Sequence, residues 1–157
     1  MMEKTDNGIE LTAHSDAELR EIGRYLGRRL FRGAFIAFFG GLGAGKTTMT
    51  KGIAAALGIE GILSPTFTIA RHHEGKLPLD HFDAYRIEEA DELYAIGYDD
   101  VLASDSVKVM EWCENVPEAL PEERLEIHIT GSGAEPRRIS VKAFGEEYDR
   151  LLEDMKR

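Results

Sequence analysis

Gly40-Gly41-Leu42-Gly43-Ala44-Gly45-Lys46-Thr47 satisfies the pattern G-x-x-x-x-G-K-[ST] in full, which is the spacing of a loop that wraps phosphate groups. Glycines in such a loop let the backbone curl round an anion without Cβ clashes, so successive N–H groups can face the β-phosphate. Lys46 adds a full positive charge, and the Thr47 hydroxyl is placed to ligand Mg2+. A glycine-rich turn that binds nothing is the alternative, and the flanking residues argue against it. Before the loop, Ala34 to Phe39 is apolar at every position, as a strand buried on both faces must be. After it, Thr48 to Leu57 is Ala-rich and helix-compatible, with Gly58 at a C-cap position. Strand, loop and helix in that order bring the positive end of the helix dipole against the phosphates. The pattern implies a nucleoside triphosphate.

A phosphate loop leaves open a second magnesium anchor, a group to orient the attacking water and a sensor for the γ-phosphate. Glu111 closes the apolar run Val107-Lys108-Val109-Met110, at a strand end of the kind where ligands gather in parallel α/β sheets. That suits a magnesium carboxylate acting through water; a strand-terminal surface Glu is the plainer reading. Trp112 beside it reads equally well as core or as part of the site. Ser64-Pro65-Thr66-Phe67-Thr68 follows the loop helix where many such enzymes keep a switch segment, with Thr66 as the sensor. In isolation the same residues are an ordinary turn and strand start. In His81-Phe82-Asp83-Ala84-Tyr85-Arg86, strand alternation puts His81, Asp83 and Tyr85 on one face, and Arg86 opens the exit loop. Asp83 is suited to orienting water or holding the metal's water shell.

The elements that must position these groups follow from pattern. Leu11-Thr12 reads as a short strand, and Ser15-Asp16-Ala17-Glu18 as a capping box opening a helix through Leu30, with Leu19, Ile22, Leu26 and Leu30 on one face. Thr66 to Arg71 and Leu77 to Tyr85 alternate as strands around the turn Glu74-Gly75-Lys76, which predicts a hairpin. Glu88 to Ile96 is helical in composition, is interrupted by Gly97 and the Asp99-Asp100 pair, and resumes briefly to Ala103. Pro117 and Pro121 mark irregular chain. Leu125 to Ile129 and Arg138 to Ala143 flank a Gly131-Ser132-Gly133 turn, and Glu146 to Arg157 reads as an amphipathic helix. The expectation is one α/β domain over residues 1–157: a P-loop NTPase with a central, mostly parallel sheet, flanking helices and some antiparallel strands.

Composition bounds the rest. A chain of 157 residues can bury about 70% of its unfolded surface as one domain. The formal net charge of −10 argues against a surface that grips nucleic acid throughout, since phosphate neutralisation needs clustered Lys and Arg. Arg20, Arg24 and Arg28 do recur at helical spacing, with Arg29 and Arg32 near. A solvated face balanced by Glu18 and Glu21 is the first reading of them, and a patch for a partner or RNA backbone the second. The single cysteine, Cys113, allows no internal disulfide and no Cys-based zinc site. No apolar run approaches the ~20 residues of a membrane span, and Met1 to Asp6 lacks a signal-peptide core, so the expected compartment is the cytoplasm.

Taken together, Gly40 to Thr48, Ser64 to Thr68, His81 to Arg86 and Glu111-Trp112-Cys113-Glu114 resemble one family, TsaE, the small bacterial ATPase of tRNA threonylcarbamoyladenosine synthesis. That family's pattern is G-D-L-G-A-G-K-T-T, then S-P-T-[FY]-T, then H-x-D-x-Y-R, then E-W-x-E. The resemblance implies ATP as substrate and Mg2+ as cofactor. It implies that Gly40, Gly43, Ala44, Gly45, Lys46, Thr47 and Thr48 bind the nucleotide, with Trp112 close to it and Arg137 a basic residue near it. Thr47 and Glu111 would hold the metal, and Asp83, Thr66, Lys46 and Glu111 would serve hydrolysis. The implied partner is the TsaD–TsaB heterodimer, which transfers threonylcarbamoyl to the adenosine 3′ of the anticodon in ANN-decoding tRNAs. tRNA would be met through that complex, with no role for DNA or a membrane. The chain departs from the pattern at Gly41, where Asp is usual, at Asp80, where an aromatic or apolar residue is common, and at Leu19, often Thr. None of these removes a phosphate or metal ligand.

Other functions on the same loop fit less well. A small-molecule kinase needs lid arginines and a second substrate pocket, and Arg71 and Arg86 are the only arginines between Thr66 and Glu111. A GTPase would carry N-K-x-D, which the chain lacks. A non-catalytic, nucleotide-gated module would keep Lys46 and Thr47 but hold no productive water, and hydrolysis above background excludes it.

Overall fold

Nearly every apolar run of the chain becomes a strand or a helix face against one sheet. The computed structural model describes residues 2–5, 8–62 and 69–156. The strands are β1 (Met2–Thr5), β2 (Gly8–Ala13), β3 (Phe35–Phe39), β4 (Ala70–His73), β5 (Leu79–Asp83), β6 (Val107–Glu111), β7 (Arg124–Thr130) and β8 (Arg137–Phe144). The helices are α1 (Asp16–Gly27), α2 (Lys46–Ala56), α3 (Asp91–Tyr94), α4 (Tyr98–Leu102) and α5 (Glu146–Met155). Among the described residues the sheet runs β1-β2-β8-β7-β3-β6-β5-β4. Its centre, β5-β6-β3-β7, is parallel, and antiparallel strands finish both flanks. This is the expected α/β architecture, with helices over both faces of the parallel strands.

β3 explains the two-faced core. Ile36 and Phe38 point into a cluster with Leu19 and Leu26 of α1, Met49 and Ile53 of α2, and Leu151 and Leu152 of α5. Phe35 and Ala37 point the other way, to Phe82, Met110, Leu93 and Tyr98. Period-two alternation on a fully apolar strand therefore fills both layers.

The loop helix is clamped from behind. A Cβ on Gly52 would lie 2.1 Å from the Arg20 carbonyl oxygen, and one on Gly23 would lie 2.3 Å from the Met49 oxygen. The α1 and α2 backbones thus touch, which only glycine allows at that crossing. The contact anchors α2, whose first residue is Lys46.

Several elements differ in detail from their sequence patterns. Ser15 caps α1 as expected, its Oγ accepting from the Glu18 N–H at 3.1 Å. Glu18 returns to the His14 N–H at 2.7 Å, one residue before the cap. α1 ends at Gly27 rather than Leu30, because the Arg29 guanidinium takes the Tyr25 carbonyl and the Arg29 N–H takes Leu26 O at 2.9 Å, tightening the last turn. The helix expected over Glu88 to Ile96 shrinks to α3, where four acids crowd one another at Glu88, Glu89, Asp91 and Glu92. Asp99 and Asp100 do not interrupt helix; they sit in the first turn of α4, where the dipole favours negative charge. The hairpin is present as β4–β5. Ser64 to Thr68, with the proposed switch, lies outside the described residues. Of the arginine stripe, Arg24 pairs with Glu21, while Arg29 pairs with Asp154. Among the described residues, no helix is long and apolar enough to cross a membrane.

Candidate functional site

The parallel strands β3, β5 and β6 end on the same side of the sheet, where the loop after β3 and the last residues of β5 and β6 line one cavity of about 540 Å³. It is lined by Gly41 to Thr48 of the loop, with Asp83, Tyr85, Arg86, Glu111, Trp112, Arg137, Asp16 and Ile69. The volume falls in the range of small-molecule sites.

Gly43 and Gly45 take left-handed backbone conformations, φ +73° and +109°, which a residue with a Cβ rarely adopts. Lys46 follows at the head of α2, its Nζ 2.5 Å from the Gly40 carbonyl and 3.4 Å from the centre of the Trp112 ring. Burial pushes the ammonium below its usual range, and the carboxylates of Glu114, Glu111 and Asp83 oppose that shift. Glu114 also accepts from the Gly40 N–H at 3.2 Å, so it ties the loop's entry to the segment after β6.

Thr47 Oγ1 lies 3.1 Å from Glu111 Oε1 and 3.4 Å from Oε2. Cis ligands of an octahedral Mg2+, at about 2.1 Å each, stand about 3 Å apart, so these hard oxygens fit one edge of its shell. Among the described residues no group of three His, Cys, Asp or Glu side chains is poised on a metal. An ion here would take its other ligands from phosphate and water, which is how Mg2+ is normally held. Glu111 itself is buried, with His81 Nε2 2.5 Å from its Oε2.

Asp83 and Glu111 are register partners across β5 and β6. Asp83 Oδ1 accepts from the Tyr85 N–H at 2.9 Å, which fixes the carboxylate at the strand exit. Burial raises its carboxyl above the usual range, Glu111 pushes the same way, and the Tyr85 bond opposes them. Trp112 has φ +61°, the one left-handed non-glycine backbone among the described residues. The strain aims its ring between Lys46 and Tyr85, whose ring centre is 4.8 Å away.

Arg137 opens β8 and faces the loop. Its Nε donates to Ala44 O at 3.1 Å, and Nη2 to Gly43 O and Gly133 O, both at 3.2 Å. Nη1 donates to Glu135 O at 2.5 Å. The guanidinium therefore holds the tip of the phosphate loop by its carbonyls.

The structure thus gathers Gly43, Ala44, Gly45, Lys46, Thr47, Thr48, Asp83, Glu111, Trp112 and Arg137 on one cavity, with Gly40 at its back holding Lys46. Thr66 lies outside the described residues. Sequence reading gave no role to Glu114, although the spacing E-W-C-E carried it, nor to the His81–Glu111 contact, which only the β5–β6 pairing creates.

Residues 13–139 match the family described as "Threonylcarbamoyl adenosine biosynthesis protein TsaE". The chain belongs to the TsaE family. The matched span runs from β2 to β8 and includes every described member of the cavity wall named above. Among its relatives, the tRNA threonylcarbamoyladenosine biosynthesis protein TsaE of Bacillus subtilis is 44% identical over 127 residues, covering 80% of this chain and 79% of that one. Its counterpart from Streptomyces coelicolor is 44% identical over 140 residues, covering 83% of this chain and 93% of that one. The crystal structure of Bacillus subtilis YdiB superposes with a TM-score of 0.83 at 33% identity, covering 99% of this chain and 96% of that one.

Proposed function

We propose that this chain is a magnesium-dependent ATP hydrolase that works with the TsaD–TsaB heterodimer in forming tRNA threonylcarbamoyladenosine. The observation that carries the reading is the convergence of Lys46, the Thr47–Glu111 pair and Asp83 on one cavity beside the phosphate loop. Membership of the TsaE family supports the pathway. Mg2+, when bound, would supply charge neutralisation at the transferred phosphoryl group. Thr47 and Glu111 would hold it. Lys46, detached from Gly40, offers its charge to the phosphates, and the loop glycines present the backbone to them. Asp83 orients the attacking water, a task suited to a carboxylate whose proton affinity burial has raised. Trp112 and Tyr85 form an aromatic wall at the mouth, and Thr66 would complete the site as the switch residue. The acidic chain, at −10, suits docking to a protein partner more than gripping tRNA, and the setting is the cytoplasm.

The reading predicts that the chain sustains repeated rounds of threonylcarbamoyl transfer to the adenosine 3′ of the anticodon in ANN-decoding tRNAs. TsaD–TsaB given tRNA and threonylcarbamoyl-AMP should stall near one product per heterodimer and continue only when this chain and ATP are added. Lys46→Ala should fail to restore turnover. Equal product yield with and without the chain would overturn the proposal.

A further inference from the structure

His81 occupies the middle of β5 and is fully buried, and among the described residues its side chain makes one hydrogen bond, to Glu111. A carboxylate accepts, so the imidazole donates through Nε2–H at 2.5 Å to Oε2. The same carboxylate presents its other oxygen, Oε1, to Thr47 at 3.1 Å. Glu111 is thus held from both sides, by a hydroxyl from α2 and by an imidazole from β5. His81 Nδ1 is buried without a hydrogen-bond partner among the described residues. Among the described residues, therefore, Glu111 and packing set the ring's orientation, and the contact to Glu111 is the one side-chain hydrogen bond it makes. An apolar residue could fill the same strand position without leaving a buried ring nitrogen unpaired.

We propose that His81 is a positioning residue for the magnesium carboxylate. By holding Oε2 from the β5 side, it keeps Oε1 turned toward Thr47, so that Glu111 and Thr47 would be placed together to hold the ion. A glutamate has three side-chain torsions to lose on ordering, so a carboxylate without that partner would present Oε1 for only part of the time. Groups that orient a metal's ligands typically govern metal affinity about 10–100-fold. The inference rests on the reading of this cavity as a Mg2+–nucleotide site.

The test uses the full-length chain, with ADP as the probe so that no hydrolysis intervenes, and reads binding by calorimetry and by the fluorescence of Trp112. For His81→Leu, ADP affinity in EDTA should stay within about 2-fold of wild type, while the Mg2+ concentration needed to tighten ADP binding rises about 10–100-fold. His81→Gln, whose amide nitrogen reaches the Nε2 position, should recover most of the magnesium response. His81→Asn, polar but too short to reach Glu111, should not. Should His81→Leu fail to fold, the Gln–Asn contrast decides alone. Wild-type magnesium dependence in His81→Asn, or no recovery in folded His81→Gln, would overturn the proposal. A wild-type chain that binds ADP without any magnesium response would instead overturn the metal reading itself, and the role of His81 with it.

Discussion

Arg137→Ala should weaken nucleotide binding without touching the nucleotide. Its guanidinium donates to Gly43 O and Ala44 O at the tip of the phosphate loop, and anchors them to Gly133 and Glu135 in the β7–β8 turn. A typical hydrogen bond contributes about 0.5–1.5 kcal/mol net, and more when one partner is charged, but this side chain is partly exposed to solvent. Two loop bonds therefore amount to about 1–3 kcal/mol, or a loss of roughly 5–150-fold in the fraction of loops ready to bind. Because the loop serves the phosphates common to both nucleotides, ATP and ADP should lose affinity by the same factor. Arg137→Lys, with a single ammonium in place of the planar fork, should fall between the variant and wild type. The assay is a titration of each nucleotide at fixed Mg2+ read by Trp112, the chain's only tryptophan, whose ring lies against Lys46. Affinity within about 2-fold of wild type would refute the clamp, since two such bonds cannot be worth so little if they order the loop. A loss confined to ATP would show instead that Arg137 contacts the γ-phosphate.

Three further outcomes are expected. Gly52→Ala gains about 1 kcal/mol of helix propensity but drives a methyl group to 2.1 Å from Arg20 O, a backbone clash costing about 1–3 kcal/mol or more. The clash should win and lower the Tm by about 2–8 °C in a thermal melt; an unchanged or higher Tm would mean that α1 and α2 do not touch there. Asp83→Asn should bind ATP within about 2-fold of wild type and lose at least about 100-fold in kcat, and wild-type turnover would remove Asp83 from the mechanism. The bonds to Glu74 and then Asp80 raise the His72 pKa above its ordinary value. Stability from that charge is therefore full below about pH 6.5 and is lost as pH rises through the raised value. His72→Gln should accordingly destabilise the chain by up to about 1 kcal/mol near pH 6 and by less near pH 9, as denaturant melts would read. The opposite trend would contradict the assignment.

Contiguity decided what could be read in the sequence. The phosphate loop was legible because strand, glycines, Lys46 and helix follow one another, and left-handed φ at Gly43 and Gly45 is the backbone consequence of that spacing. Glu111 was legible as an acid closing an apolar strand. Its neighbours were not. Asp83 and His81 reach it through the parallel register of β5 and β6, and no local pattern states which strands lie side by side. Arg137 was nameable as a basic residue near the nucleotide, yet its grip on loop carbonyls joins residues 93 and 94 positions apart. α1 is shorter than its apolar spacing suggests because a side chain, Arg29, captures a carbonyl that a longer helix would have needed. The α3–α4 segment departs from the expectation because Asp99 and Asp100 favour a helix start rather than a break.

The proposed function is hydrolysis of ATP in this cavity in the service of a partner. The direct measurement is phosphate release by the purified chain with Mg2+ and ATP, alone and with TsaD–TsaB added, using GTP and Lys46→Ala as controls. Slow turnover alone, a strong rise with the heterodimer, preference for ATP, and loss of activity in Lys46→Ala are expected. Turnover indifferent to the heterodimer, or dependent on a small phosphoryl acceptor, would contradict it.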